Sequence, residues 1–205
     1  MKIYDTPRAP NPRRVRLFLI EKGIEDVEIV PVSLLEGAHK QPDYLAKAGL
    51  ANVPMLEMDD GTCITESLAI CRYLESVYPE PNLMGRDPRE TAIIEMWTRR
   101  VEMMVATPLM LAVRHSHPAL AVLEQQNPVI ADYNAQAGTR ALKVLDRRLA
   151  ESEWIAADRL TIADIVAFAS IDFARMIKFR PPEEMTHVNR WLEAMKGRES
   201  VKIAL

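Results

Sequence analysis

The residues with the clearest chemical potential are few and scattered. Glu66-Ser67 stands where an apolar helical run begins, and there unpaired N–H groups and the positive end of the dipole favour a carboxylate. A plainer use of the same residues is a helix cap by Thr65 or Ser67. Arg8, Arg13, Arg14 and Arg16 put four guanidinium groups within nine residues. A solvated helix face accounts for at least two of them. Asn11 suits the N-cap of the helix that follows, and its amide could equally donate to an anion. His115 and His117 flank Ser116, and each taken alone is a surface histidine. Cys63 and Cys71 give neither a disulfide framework nor a metal-knuckle spacing. Both thiols are expected to be reduced and buried.

These residues need elements to hold them. Lys2 to Asp5 reads as a strand, and a proline-rich turn leads to a helix with Pro12 at its first position and Gly23 as its stop. Val27 to Val32 is β-branched, and Pro31 marks it as an edge strand. Pro42 and Gly49 bracket a short helix. Val53 to Met58 alternates as a strand, Asp59-Asp60-Gly61 makes a hairpin turn, and Thr62 to Thr65 returns. Ser67 to Val77 is a helix halted before Pro79. The order β-α-β-α-β-β-α is that of a thioredoxin-like domain over residues 1–79.

Pro79 to Pro88 has the composition of a linker, placed at 80–88. Beyond it only 3.6-residue periodicity appears: Glu90 to Val113 with a kink at Thr107-Pro108, Pro128 to Leu149, Ile162 to Met176 and Glu183 to Met195. Residues 89–205 are therefore an all-helical domain. Thr161 and Asp164 form a capping box, with Leu160 and Ile165 as its staple. The helix they start is apolar around most of its circumference and must be central to its domain.

The chain has 205 residues, 48% of them hydrophobic and 27% charged, with a net charge of −3. That balance suits a soluble globular protein without a membrane span, and argues against a nucleic-acid partner. A proline and a charge within the first eight residues leave no room for a secretory signal, so a cytoplasmic location is expected.

The runs PNPRRVRLFLIEKG, Asn52-Val53-Pro54, Asp60-Gly61 to Ile70 and Leu160 to Asp164 together resemble cytosolic glutathione transferases over nearly the whole length. The resemblance implies an α/β thioredoxin-like domain that binds glutathione, followed by an all-α domain. It implies a cis Val53-Pro54 bond, which would turn the Val53 N–H and C=O toward an extended tripeptide as an added strand does. Ser67 would hold the γ-glutamyl carboxylate and Glu66 its ammonium. His39 and Lys40 would face the glycyl carboxylate, and Asn52 takes a place that relatives fill with Lys or Gln. Met103, Met104, Leu109, Met110, Val113 and Tyr133 would line the second-substrate cleft; a Met stripe can equally be core or dimer interface. Glutathione is then a co-substrate, no metal is required, and a homodimer is expected.

The pattern breaks at the sulfur. Relatives stabilise the thiolate with Tyr, Ser or Cys, but Ala9 stands where serine-type members carry the hydroxyl. Three substitutes remain: Asn11, the bare helix N-terminus assisted by Arg13 or Arg14, and His115 or His117. The last choice is similar to yeast-type transferases, which lack the usual residue; the first resembles some bacterial glutathione-fold oxidoreductases, whose Thr-Pro-Asn loop presents an amide to sulfur, although Ala9-Pro10-Asn11 keeps the Asn and loses the Thr. The expected activity is conjugation of glutathione to small hydrophobic electrophiles. Glutathione-dependent peroxide or disulfide reduction is an alternative, and so is a non-catalytic binding protein.

Overall fold

The computed structural model describes residues 1–204. They divide into two units, one built on Met1–Pro81 and the other on Asn82–Lys202.

In the first unit, β1 (Lys2–Asp5) buries Ile3 and Asp5. It leads into α1 (Pro10–Lys22), whose N-cap is Ala9, at φ −74° and ψ 137°. Asn11 is thus inside the first turn rather than at the cap, because Pro10 as well as Pro12 fits where no intrahelical N–H is needed. Gly23 stops the helix at φ 64°. Its N–H reaches the Ile20 carbonyl at 3.0 Å and the Ile24 N–H reaches Leu19 at 2.9 Å, the paired bonds of a left-handed helix end. β2 (Glu28–Pro31) runs parallel to β1 at the sheet edge, where Pro31 costs no ladder bond that matters.

The helix expected between Pro42 and Gly49 is α2 (Pro42–Ala48). β3 (Met55–Glu57) and β4 (Cys63–Thr65) form the hairpin, so the strands are shorter than Val53 to Met58 and Thr62 to Thr65. The sheet order is β2-β1-β3-β4, with β3 antiparallel to both neighbours. α3 (Ser67–Val77) has the bounds read from the sequence. Near its far end, Lys22 of α1 donates to Glu75 and to the Pro81 carbonyl, both at 2.7 Å. The Lys22 side chain is wholly buried. A cation in that position must be paired, and this one is.

The second unit begins earlier than the expected helical domain. Gly85 adopts φ 117°, and a Cβ there would fall 2.4 Å from the Thr91 backbone. Asn82 is held by Arg159, and the Leu83 carbonyl accepts from the Ile162 N–H. Residues 82–87, expected within a linker, are therefore built into this unit. Asp87 caps α4 (Pro88–Val101) by accepting from the Glu90 N–H at 2.9 Å. Arg159 binds Glu90 and holds its carboxyl down to about 2.

The helix expected over Glu90 to Val113 is two. A widened π turn, Glu102–Ala106, separates α4 from α5 (Thr107–Ser116). Pro108 has no N–H to give residue 104, and its ring pushes that carbonyl aside. α6 (Pro128–Ala150) crosses α5 closely at Gly138, where a Cβ would sit 2.5 Å from Leu109 Cδ2.

α7 (Ile162–Phe173) is buried at every residue from 162 to 171. The Asp164 carboxylate accepts from the Thr161 N–H (2.9 Å) and hydroxyl (3.0 Å), the Ile155 N–H (3.0 Å) and the Trp191 indole (3.0 Å). Burial pushes its carboxyl up against those four bonds. The helix ends at Phe173 and continues as a tighter turn to Ile177. α8 (Thr186–Lys196) starts later than Glu183, at amides that bond to Asp146 of α6. α9 (Glu199–Ile203) has no counterpart in the sequence reading. Among the described residues no helix is long and apolar enough to cross a membrane. The architecture is a thioredoxin-like mixed sheet with helices, followed by a helical unit.

Candidate active site

Three segments of the first unit converge: the start of α1, the loop before β3 and the start of α3. The Val53-Pro54 bond is cis. Among the described residues no backbone group pairs with the Val53 N–H or C=O, so that main chain is open to a partner. Tyr44 of α2 fixes the loop by donating to the Asn52 carbonyl at 2.5 Å. Asn52 Nδ2 donates to Glu66 at 3.4 Å, and Asn52 Oδ1 is buried with no partner.

α3 starts without a side-chain cap. Its N-cap residue is Glu66 at φ 69°, a left-handed conformation that costs a non-glycine residue about 1 kcal/mol or more. Neither Thr65 nor Ser67 closes the helix end, which sets the cap reading aside. Ser67 is instead buried, and its Oγ accepts from Arg14 Nη1 at 3.3 Å. Sequence reasoning named this arginine, with Arg13, only as an aid to the α1 N-terminus, and missed its contact with Ser67. The signal was the guanidinium cluster, assigned in part to a solvated face. Only Arg8 is exposed; Arg13 and Arg14 are buried, and Arg16 is ion-paired to the buried Asp5 at 2.5 Å.

His39 and Lys40 occupy a single 3-10 turn, Ala38–Lys40, and Ala38 packs on the core cluster that contains Val53 and Tyr44. His39 is buried and Lys40 exposed. Burial, then the Lys40 charge, lowers the His39 imidazole, so it is neutral near pH 7. Lys40 supplies the charge of the pair.

At the sulfur end, the hydroxyls near α1 are already engaged. Tyr4 donates to Glu57 at 2.6 Å and Thr6 to the Val32 carbonyl at 2.5 Å. Cys71 is buried in α3 with its thiol pushed up by burial. Cys63 is half-exposed, contrary to expectation, and its thiol too is raised by burial. Ala9 lies at the α1 N-cap with no donor side chain. Because Pro10 and Pro12 lack N–H groups and Arg13 already bonds to the Ala9 carbonyl, the first turn of α1 has one uncommitted amide, that of Asn11. Asn11 Oδ1 is also buried without a partner. The two proposals for this helix start, an Asn11 donor and a bare N-terminus, therefore fall on the same residue.

In the second unit, His115 lies buried in the last turn of α5, not on the surface, and its Nδ1 has no partner. His117 follows as the C-cap, with Nδ1 accepting from the Ala119 N–H at 3.3 Å. Met103, Met104 and Tyr133 are exposed and Met110 is half-buried. Leu109 and Val113 are wholly buried and belong to the core rather than to any cleft.

Comparison with known proteins bears on this arrangement. The glutathione S-transferase N-terminal domain model matches residues 1–76 and the C-terminal domain model residues 101–199. Glutathione S-transferase 2 of Saccharomyces cerevisiae is 36% identical over 205 residues, covering 98% of this chain and 88% of the relative. The chain belongs to the glutathione S-transferase family. Among solved structures it is similar to Gtt2 from Saccharomyces cerevisiae, at TM-score 0.93, 36% identity and full coverage of both chains. A glutathione S-transferase domain-containing protein from Marinobacter aquaeolei gives TM-score 0.93 at 38% identity, covering 98% of this chain and all of the other. As a family member, this transferase departs from the Tyr, Ser or Cys pattern at Ala9.

Proposed function

We propose that this transferase binds glutathione in its first unit and adds the sulfur to small hydrophobic electrophiles. The observation that carries the reading is the uncapped start of α3 beside the open Val53 main chain. A γ-linked tripeptide matches both: its backbone pairs with Val53, and its α-carboxylate meets Ser67 and the α3 amides. Its ammonium lies with Glu66 and the orphaned Asn52 Oδ1, and its glycyl carboxylate with Lys40 beside neutral His39. Ala9 borders the sulfur.

The thiol of glutathione titrates near that of free cysteine, about 8.5, so a donor is needed to hold the thiolate at neutral pH. Asn11 fills that role in this reading through its single uncommitted amide N–H. Of the two histidines, His115 keeps an unoccupied Nδ1 and is the one proposed to take part, whereas the Nδ1 of His117 is used locally. Met103, Met104, Met110 and Tyr133 are proposed to receive the electrophile, for which flexible thioethers are suited. The working state proposed is a cytoplasmic homodimer.

Titration calorimetry with glutathione, followed by ultraviolet detection of the thiolate at pH 7, tests the reading. Binding with a thiolate signal and turnover of an activated aryl halide is the expected result. Absence of binding overturns it. The amide of Asn11 also suits a second activity, glutathione-dependent reduction of organic hydroperoxides; rapid peroxide turnover with negligible conjugation would select that one.

A further inference from the structure

We infer that Arg14 is a positioning residue that makes the site selective for a ligand carrying a free α-carboxylate, by fixing which way the Ser67 hydroxyl donates. The inference rests on the glutathione reading above. A guanidinium has five N–H donors and no acceptor. When Arg14 Nη1 approaches Ser67 Oγ at 3.3 Å, the oxygen must therefore accept. The single hydroxyl hydrogen is left to point away from Arg14, toward whatever lies in front of the α3 start. A hydroxyl held as a donor favours an anionic acceptor over an ammonium or an amide N–H.

The placement of the guanidinium adds a second effect. Arg14 is only 5% exposed, so water does not compete with Ser67 for the Nη1 donor. It reaches the α3 start from behind, from a helix whose own first turn is largely closed by Pro10 and Pro12. The α3 amides and the hydroxyl that Arg14 holds as a donor then act on one carboxylate. The same guanidinium pulls the Cys71 thiol of α3 down against the stronger effect of burial. Arg13, the adjacent buried arginine, shows no bond to Ser67.

The test compares glutathione with its analogue lacking the γ-glutamyl α-carboxylate, in wild type, Arg14→Met, Arg14→Lys, Ser67→Ala and the double variant Arg14→Met/Ser67→Ala. Wild type should bind glutathione at least about tenfold more tightly than the analogue, the scale of one charge-assisted hydrogen bond. Arg14→Met should bring that ratio within about threefold of unity, and Ser67→Ala should add little in the Arg14→Met background. Arg14→Lys keeps the charge and should retain an intermediate ratio; it carries the comparison if Arg14→Met does not fold. A folded Arg14 variant whose affinities for both ligands fall equally, leaving the ratio as in wild type, overturns the inference and marks Arg14 as structural. Failure of wild type to bind glutathione at all defeats the underlying reading instead, so the two failures are distinct.

Discussion

The starts of α7 and α3 are built from similar residues and finished in opposite ways. At α7, Thr161 and Asp164 close on each other, and the Asp164 carboxylate also takes the Ile155 amide and the Trp191 indole. Its four acceptor bonds are all internal. At α3, Glu66 sits in a left-handed conformation, no side chain caps the helix, and a buried arginine stands behind Ser67. A helix start sealed by its own chain serves folding; one kept open at a conformational cost is available to a ligand. A [ST]-x-x-[DE] motif is therefore a poor guide to chemistry, and its absence before a helix is the more informative feature.

The contrast can be broken first at α7. Asp164→Ala removes the acceptor for four buried donors and should cost about 4 kcal/mol or more of stability, measured by urea unfolding. A loss under 1 kcal/mol would mean that the bonds to Asp164 do not anchor the start of α7. Ser67→Ala should do the reverse: glutathione affinity falls about tenfold by calorimetry while unfolding shifts by less than about 1 kcal/mol. Loss of stability without loss of binding would erase the distinction.

Glu90 offers a finer probe at the closed start of α4. Its carboxyl is depressed to about 2 by the Arg159 hydrogen bond, so its contribution is present above the ordinary glutamate range and disappears as the pH falls toward 2. Glu90→Gln should lower stability at pH 7 by about 1 kcal/mol or less, and the difference from wild type should vanish near pH 2. The smallest effect is expected at α1. Ala9→Ser puts a hydroxyl at the N-cap, where Asn11 has the one uncommitted amide, and should stabilise by about 0.5 kcal/mol. If Asn11 serves the sulfur, the same change should raise the thiol pKa of bound glutathione, because the new hydroxyl competes for that N–H.

Most of the first unit was legible in the sequence because its punctuation is local. Gly23, Gly49 and the Asp60-Gly61 turn each act within a few residues, and α3 and the capping box at Thr161 follow from neighbours alone. What escaped depends on partners distant in the chain. Arg14 finds Ser67, 53 positions away in the chain. The fixing of Asn82 depends on Arg159, 77 positions away. The division of the long helix at residues 102–106 is local instead: Pro108 announces a kink but not the widened turn by which the helix accommodates it. The misplaced cap at Asn11 had a different source, two prolines each fit for the first turn. At the candidate site, residue types were readable whereas their donor and acceptor directions were not, because direction is set by three-dimensional contact.

Lys22 gives the site a mechanical character. It rivets the tail of α1 to the tail of α3, while Arg14 and Ser67 meet at the heads of the same two helices. The pair resembles tongs pinned at the handle: parting the jaws loads the Lys22–Glu75 contact or flexes a helix. Grip strength at the heads is thereby tied to a lysine far along the barrel of α1, and loosening that rivet would slacken the jaws without touching them.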